Sequence, residues 1–210
     1  IRDSPSAVIV QLGAGLDTRP LRLAPLCPEA TFYDLDLPDV IALRDKLVPK
    51  APRNYSLACS MLETAWMDEL AAKHAGEEFV FVLEGVSMFF EKPIFREFFL
   101  NLAARFSGLV LVDLLNDFAT KMNTRKHDTL KFMKEEVKIK MGIAGADEVE
   151  AWDKDHIKCL EIGTMMNMYK HRWGLVGRAM SWIKPFREAC RMFVFALGLS
   201  LIHISEPTRQ

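Results

Sequence analysis

Val8–Arg22 reads VIVQLGAGLDTRPLR. An apolar run, Val8–Leu12, gives way to Gly13–Ala14–Gly15 and then to polar Asp17, Thr18 and Arg19. A buried strand that ends in a glycine turn reads this way at the edge of a parallel sheet. Glycine matters there because a backbone without Cβ can come within contact distance of a ligand. A second strand, Thr31–Leu35, ends in Asp36, 21 residues after Gly15. An acid at that place can accept both hydroxyls of a ribose. Strand, turn, second strand and acid together predict a nucleoside-bearing cofactor.

The third position of the glycine pattern narrows the choice. The dinucleotide pattern G-x-G-x-x-G/A needs a small third residue so that the next helix packs closely and aims its N-terminus at a pyrophosphate. Here that position is Thr18, and Asp17 sets a negative charge beside it. Both disfavour a pyrophosphate and are compatible with a cationic, phosphate-free cofactor such as S-adenosylmethionine. A nicotinamide-dependent oxidoreductase shares the strand, turn and acid and stands as the alternative, with Thr18 against it. A non-catalytic binding protein, or a non-catalytic fragment of an enzyme that binds cofactor weakly or not at all, is a second alternative.

Glu78–Phe90, EFVFVLEGVSMFF, supplies the next block. Phe79–Leu83 is continuously apolar, as a strand covered on both faces should be. Glu84 and Gly85 follow at its carboxyl end, where open α/β sheets bind ligands. Glu84 could instead cap the helix beginning near Lys92, although Glu91 is better placed to do so. Phe89 and Phe90 are candidates for the wall of an acceptor pocket, or for packing under that helix.

LGAGLDTR (Leu12–Arg19), YDLDLPDVIALRDKL (Tyr33–Leu47) and LEGVSMFF (Leu83–Phe90), in this order, resemble the leucine carboxyl methyltransferase family. The nearer likeness is to its bacterial branch of polyketide-type O-methyltransferases, and it runs from Ala7 to Gly198. The resemblance implies a class I methyltransferase fold, Rossmann-like α/β. Its sheet would be mainly parallel and seven-stranded, with helices on both faces and a terminal antiparallel hairpin. It implies S-adenosylmethionine as cofactor and a small-molecule acceptor methylated on oxygen. Gly13, Ala14 and Gly15 would line the methionine part and Asp36 would hold the ribose. Glu84 and Gly85 would lie toward the methionine and sulfonium end, and Cys59–Leu62 would flank the adenine. Many members have Asp-Leu where this chain has Ser60–Met61; the Ser60 hydroxyl can still accept from the adenine amine, more weakly than a carboxylate. No general base stands out.

The same likeness implies an upstream helical segment, carrying a basic residue for the cofactor carboxylate, and the expectation is that the segment is missing ahead of Ile1. Leu199–Arg209, LSLIHISEPTR, looks like a translated sequencing adapter. The expected organisation is one methyltransferase domain over 1–198 and a non-native tail over 199–210.

Composition agrees. The chain has 210 residues, half of them hydrophobic, enough for one α/β domain. A net charge of −1 exerts no general pull toward nucleic acid or an anionic membrane. The basic residues of Lys121–Lys126 and Lys131–Lys140 alternate with Glu135 and Glu136 and read as a solvated helix face. The apolar stretch Met192–Ile202 is too short to span a membrane. Cysteines 27, 59, 159 and 190 form no C-x-x-C and read as reduced thiols of a cytoplasmic protein. Histidines 74, 127, 156 and 171 lack metal-ligand spacing, so no metal is expected. The oligomeric state stays open.

The periodicity predicts strands Val8–Leu12, Thr31–Leu35, Asn54–Ala58, Phe79–Leu83 and Leu109–Leu114, and helices Pro38–Leu47 and Lys92–Phe106. The mixed, charged segment Asn116–Asp155 is the expected substrate cover. Ile162–Tyr169 and Met192–Leu197 are the expected hairpin strands, joined by a helix over Leu175–Trp182. Met165, Met166 and Met168 read as core or as an adaptable apolar wall.

Overall fold

In the computed structural model, residues 5–121, 138–168 and 170–198 are described. The expected charged faces around Lys121–Lys126 and Lys131–Lys140 lie largely outside them, as do Tyr169 and the expected tail.

The elements follow in the order β1 (Val8–Leu12), α1 (Arg19–Leu23), β2 (Thr31–Asp36), α2 (Pro38–Leu47), β3 (Asn54–Ala58), α3 (Ala65–Lys73), β4 (Phe79–Leu83) and α4 (Lys92–Arg105). Then come β5 (Gly108–Leu115), α5 (Asp117–Thr120), α6 (Ala146–Glu150), β6 (Ile157–Thr164), α7 (Leu175–Met180), α8 (Lys184–Arg187) and β7 (Cys190–Leu197). One seven-stranded sheet has the order β3-β2-β1-β4-β5-β7-β6. β1 to β5 pair in parallel, and β7 runs antiparallel to β5 and β6.

The chain steps from β1 outward to β3, then crosses back to lay β4 on the other side of β1. The strand order therefore reverses between β1 and β4, and the turns after these two strands open a crevice there. All five residues of each strand are buried, which is why β4 reads as an unbroken apolar run and β1 as one interrupted only by the buried Gln11.

The larger core joins α3, α4 and α6 to one face of the sheet. On α4, Phe95, Phe98, Phe99 and Leu102 form the expected stripe, and Phe99 meets Phe195 of β7 edge-to-face with centroids 5.6 Å apart. A smaller cluster of Ile9, Phe32, Val80 and Val82 lies on the other face with Leu23 and Ala24 at and beyond the end of α1. Among the described residues no helix is long and apolar enough to cross a membrane.

The hairpin differs from expectation. Its first strand is Ile157–Thr164, and Met165, Met166 and Met168 follow it in a turn. Met165 and Met168 are exposed rather than core. β6 is an edge strand whose register shifts between Cys159 and Glu161, so Lys158 and Glu161 face water and the apolar alternation is lost. β7 begins two residues earlier than expected, at Cys190. The helix over Leu175–Trp182 stops at Met180, and Trp182 is exposed.

Candidate functional site

A cleft of about 340 Å³ lies over the carboxyl ends of the parallel strands. Gly13 from the turn after β1, Leu35, Asp36 and Leu37 from the end of β2, and Cys59, Ser60 and Met61 after β3 line it. Gly85, Val86, Phe89 and Phe90 after β4 complete it. Its size falls in the range of small-molecule sites. A hollow of about 400 Å³ beside His74, Phe79 and Arg105 is larger but sits at the amino end of β4, away from where such sheets bind ligands.

The first turn closes onto β2. The Gly13 and Ala14 N–H groups donate to the Leu35 carbonyl at 2.9 and 3.1 Å. Gly13 has φ +72°, and a Cβ there would overlap Val86 Cγ2. The loops after β1 and β4 thus touch at a point where only glycine fits. Asp36 Oδ2 accepts the Gly15 N–H at 2.8 Å and its Oδ1 accepts the Leu37 N–H at 2.7 Å. Two backbone donors therefore fix the carboxylate, and each oxygen keeps a lone pair for a further donor. Two adjacent hydroxyls match that acceptor pair.

The second turn is held by a residue that sequence reading missed. Both oxygens of Asp113, on β5, accept the Gly85 N–H at 3.0 Å, and Ser87 Oγ donates to the Asp113 carbonyl at 2.7 Å. Burial raises the Asp113 carboxyl above its ordinary range; the Gly85 N–H works against this and the charge of Glu84 adds to it. Its signal was an acid inside the apolar run LVLVDLL. Nearby, burial pushes the Cys190 thiol up to about 12, helped by the charges of Asp113 and Glu84.

Glu84 stands outside the cleft lining, and its side chain is about half exposed. Its Oε2 accepts from Arg19 Nη2 at 2.6 Å, while Arg19 Nη1 lies 2.9 Å from Asp17 Oδ2. Burial opposes ionisation of Asp17, but Arg19 and Arg22 together hold its carboxyl below the usual value. Asp17, Arg19 and Glu84 thus tie the two turns at the mouth. Glu91 occupies the cap position of α4, so Glu84 is not its cap.

Of the expected cofactor residues, Gly13, Asp36, Ser60, Met61 and Gly85 meet in the cleft, and Gly15 borders it through Asp36. Ala14 is buried behind the turn. Phe89 and Phe90 line the cleft, and Phe90 also packs on the core. Cys59 does both as well. Among the described residues no group of three or more His, Cys, Asp or Glu is placed to hold a metal ion.

The leucine carboxyl methyltransferase family model matches residues 3–103. The tetracenomycin polyketide synthesis O-methyltransferase TcmP of Streptomyces glaucescens is 35% identical over 65 residues, 30% of this chain and 23% of its own length. Among solved structures, PKMT2 from Rickettsia typhi in complex with AdoHcy is similar, with a TM-score of 0.61 at 13% identity over 92% of this chain and 49% of that one. A SAM-dependent methyltransferase from Anabaena variabilis gives a TM-score of 0.62 at 12% identity, covering 92% and 78%. At these identities the structural likeness is one of fold. The chain spans less than a quarter of the length of TcmP and about half that of the Rickettsia protein.

Proposed function

We propose that the chain, whose residues 3–103 match the leucine carboxyl methyltransferase family model, binds S-adenosylmethionine and methylates an oxygen of a small-molecule acceptor. The observation that carries the reading is the Asp36 carboxylate, fixed by two backbone donors beside a glycine turn at the point where the strand order reverses. Its free lone pairs suit the two ribose hydroxyls. Ser60 accepts from the adenine amine, and Cys59 and Met61 flank the ring. Gly13 and Gly85 let the methionine part lie against backbone, with Glu84 toward its charged end.

When bound, the cofactor supplies a methyl group already activated by the sulfonium. The protein's part is to hold acceptor, methyl and sulfur in line and to keep water out. Phe89 and Phe90 wall the acceptor side of the cleft, where apolar rings suit an aromatic substrate. The TcmP likeness supports a polyketide-like acceptor. A carboxylate acceptor needs no base, whereas a phenol, with a solution pKa of about 10, benefits from one.

The test is transfer of a radiolabelled methyl group from S-adenosylmethionine to a panel of aromatic phenols and carboxylic acids. Label in a base-labile ester identifies carboxylate methylation, and label in a base-stable ether identifies phenol methylation. Label on carbon or nitrogen alone, or no transfer to any member by a protein that binds the cofactor, counts against the reading.

A further inference from the structure

Gly15 is gripped from both sides. Its N–H donates to Asp36, and its carbonyl accepts from Arg44 Nη1 at 3.0 Å. Arg44 projects inward from α2 and is 3% exposed. Its Nε and Nη2 both donate to Asp34 Oδ2, at 3.1 and 2.8 Å, and Asn54 Nδ2 donates to the same oxygen at 2.9 Å. Among the described residues Asp34 Oδ1 is buried without a hydrogen-bond partner.

An arginine and a carboxylate free to choose close a fork that uses both oxygens. Here the guanidinium is turned so that its remaining nitrogen faces the turn after β1, and one carboxylate oxygen goes unsatisfied. A contact kept at that cost points to the Gly15 carbonyl as the feature being served. We infer that Arg44 is a positioning residue that sets the Gly15 peptide plane, and through the Gly15 N–H the Asp36 carboxylate, in the arrangement the cofactor's ribose requires. Asp34 and Asn54 hold the guanidinium in place. Arg44 is absent from the cleft lining and acts through the turn. The inference rests on the proposed function.

Two variants of the full chain test it. Arg44→Lys keeps a charge for Asp34, but one ammonium cannot replace a planar fork that serves two partners. The double variant Asp34→Asn/Arg44→Met removes the pair together, so that no buried charge is stranded. Both should unfold cooperatively. Amide hydrogen exchange at Gly15 should accelerate by about tenfold, the size expected for losing one such bond, while Ile9 and Val10 of β1 stay within about twofold of wild type. The Kd for S-adenosylhomocysteine should rise by about tenfold. Uniform acceleration through β1, unchanged exchange at Gly15, or local loosening without loss of affinity would each overturn the inference. A folded wild-type chain that does not bind S-adenosylhomocysteine removes the proposed function and the cofactor half of the inference. Exchange at Gly15 then still decides whether Arg44 sets the turn.

Discussion

Replacing Gly13 by alanine should destabilise the chain by about 1–3.5 kcal/mol. The left-handed φ of +72° costs an alanine about 1 kcal/mol. The new Cβ overlaps Val86 Cγ2, and forcing atoms into an occupied place costs about 1–3 kcal/mol. Valine is stiff about χ1, so it cannot simply swing aside. Stiffening of the unfolded chain returns about 0.5–1 kcal/mol. For a chain of this size the net loss lowers Tm by about 2–14 °C. Gly15→Ala is the internal control. Gly15 also has positive φ, +49°, but its Cβ would meet open space, so the backbone cost of about 1 kcal/mol is largely offset by the same stiffening of the unfolded chain and the net loss is about 0.5 kcal/mol or less. Urea unfolding of Gly13→Ala, Val86→Ala and the double variant gives the coupling between the two loops. The double variant should recover about 1–2 kcal/mol of the sum of the single losses. Additivity within about 0.5 kcal/mol, or a Gly13→Ala chain as stable as Gly15→Ala, would refute the claim that the loops after β1 and β4 touch there.

Asp113 predicts a pH dependence. Its folded carboxyl, raised mainly by burial, holds a proton where the unfolded one, with an ordinary value of 3.8, has released it. Unfolding therefore releases a proton, and the stability from this group falls as pH rises from the ordinary value to just above the folded one. The stability difference between wild type and Asp113→Asn should move against wild type across that window and then level off; a difference that moves toward wild type contradicts the burial argument. Cys190, pushed up to about 12, should alkylate at pH 8 at less than about a hundredth of the rate of free cysteine, and rapid labelling identified by mass spectrometry would show the thiol to be open to water.

Much of the fold was legible because its central strands are buried on both faces. β1, β3, β4 and α2 have the expected limits, and α4 ends one residue early. Legibility failed at the sheet edge. β6 carries charges on its open side and a bulge, while the apolar methionines beyond it belong to a turn. The same division runs through the site. Gly13, Asp36 and Gly85 could be read because a tight turn demands glycine and a strand end exposes an acid. Arg44 could not. It stands on α2 between Leu43 and Asp45, yet Leu43 is 48% exposed while Arg44 is buried, the reverse of the usual helix pattern. Only the partners across the fold, Asp34 and the Gly15 carbonyl, explain its direction. Asp34 and Asp113 left a trace as single charges within apolar strands, but that trace does not say which loop each one holds.

Calorimetric titration of the chain with S-adenosylhomocysteine, beside Asp36→Ala, tests the central claim most directly. The expected result is binding in the micromolar range that weakens by about a hundredfold in the variant. That follows from two hydrogen bonds to a charged group, each contributing about 1.5 kcal/mol. Circular dichroism of the variant should still report the folded sheet. Binding that is unchanged without the Asp36 carboxylate, or a folded wild-type chain that does not bind, would contradict the assignment of this cleft to S-adenosylmethionine.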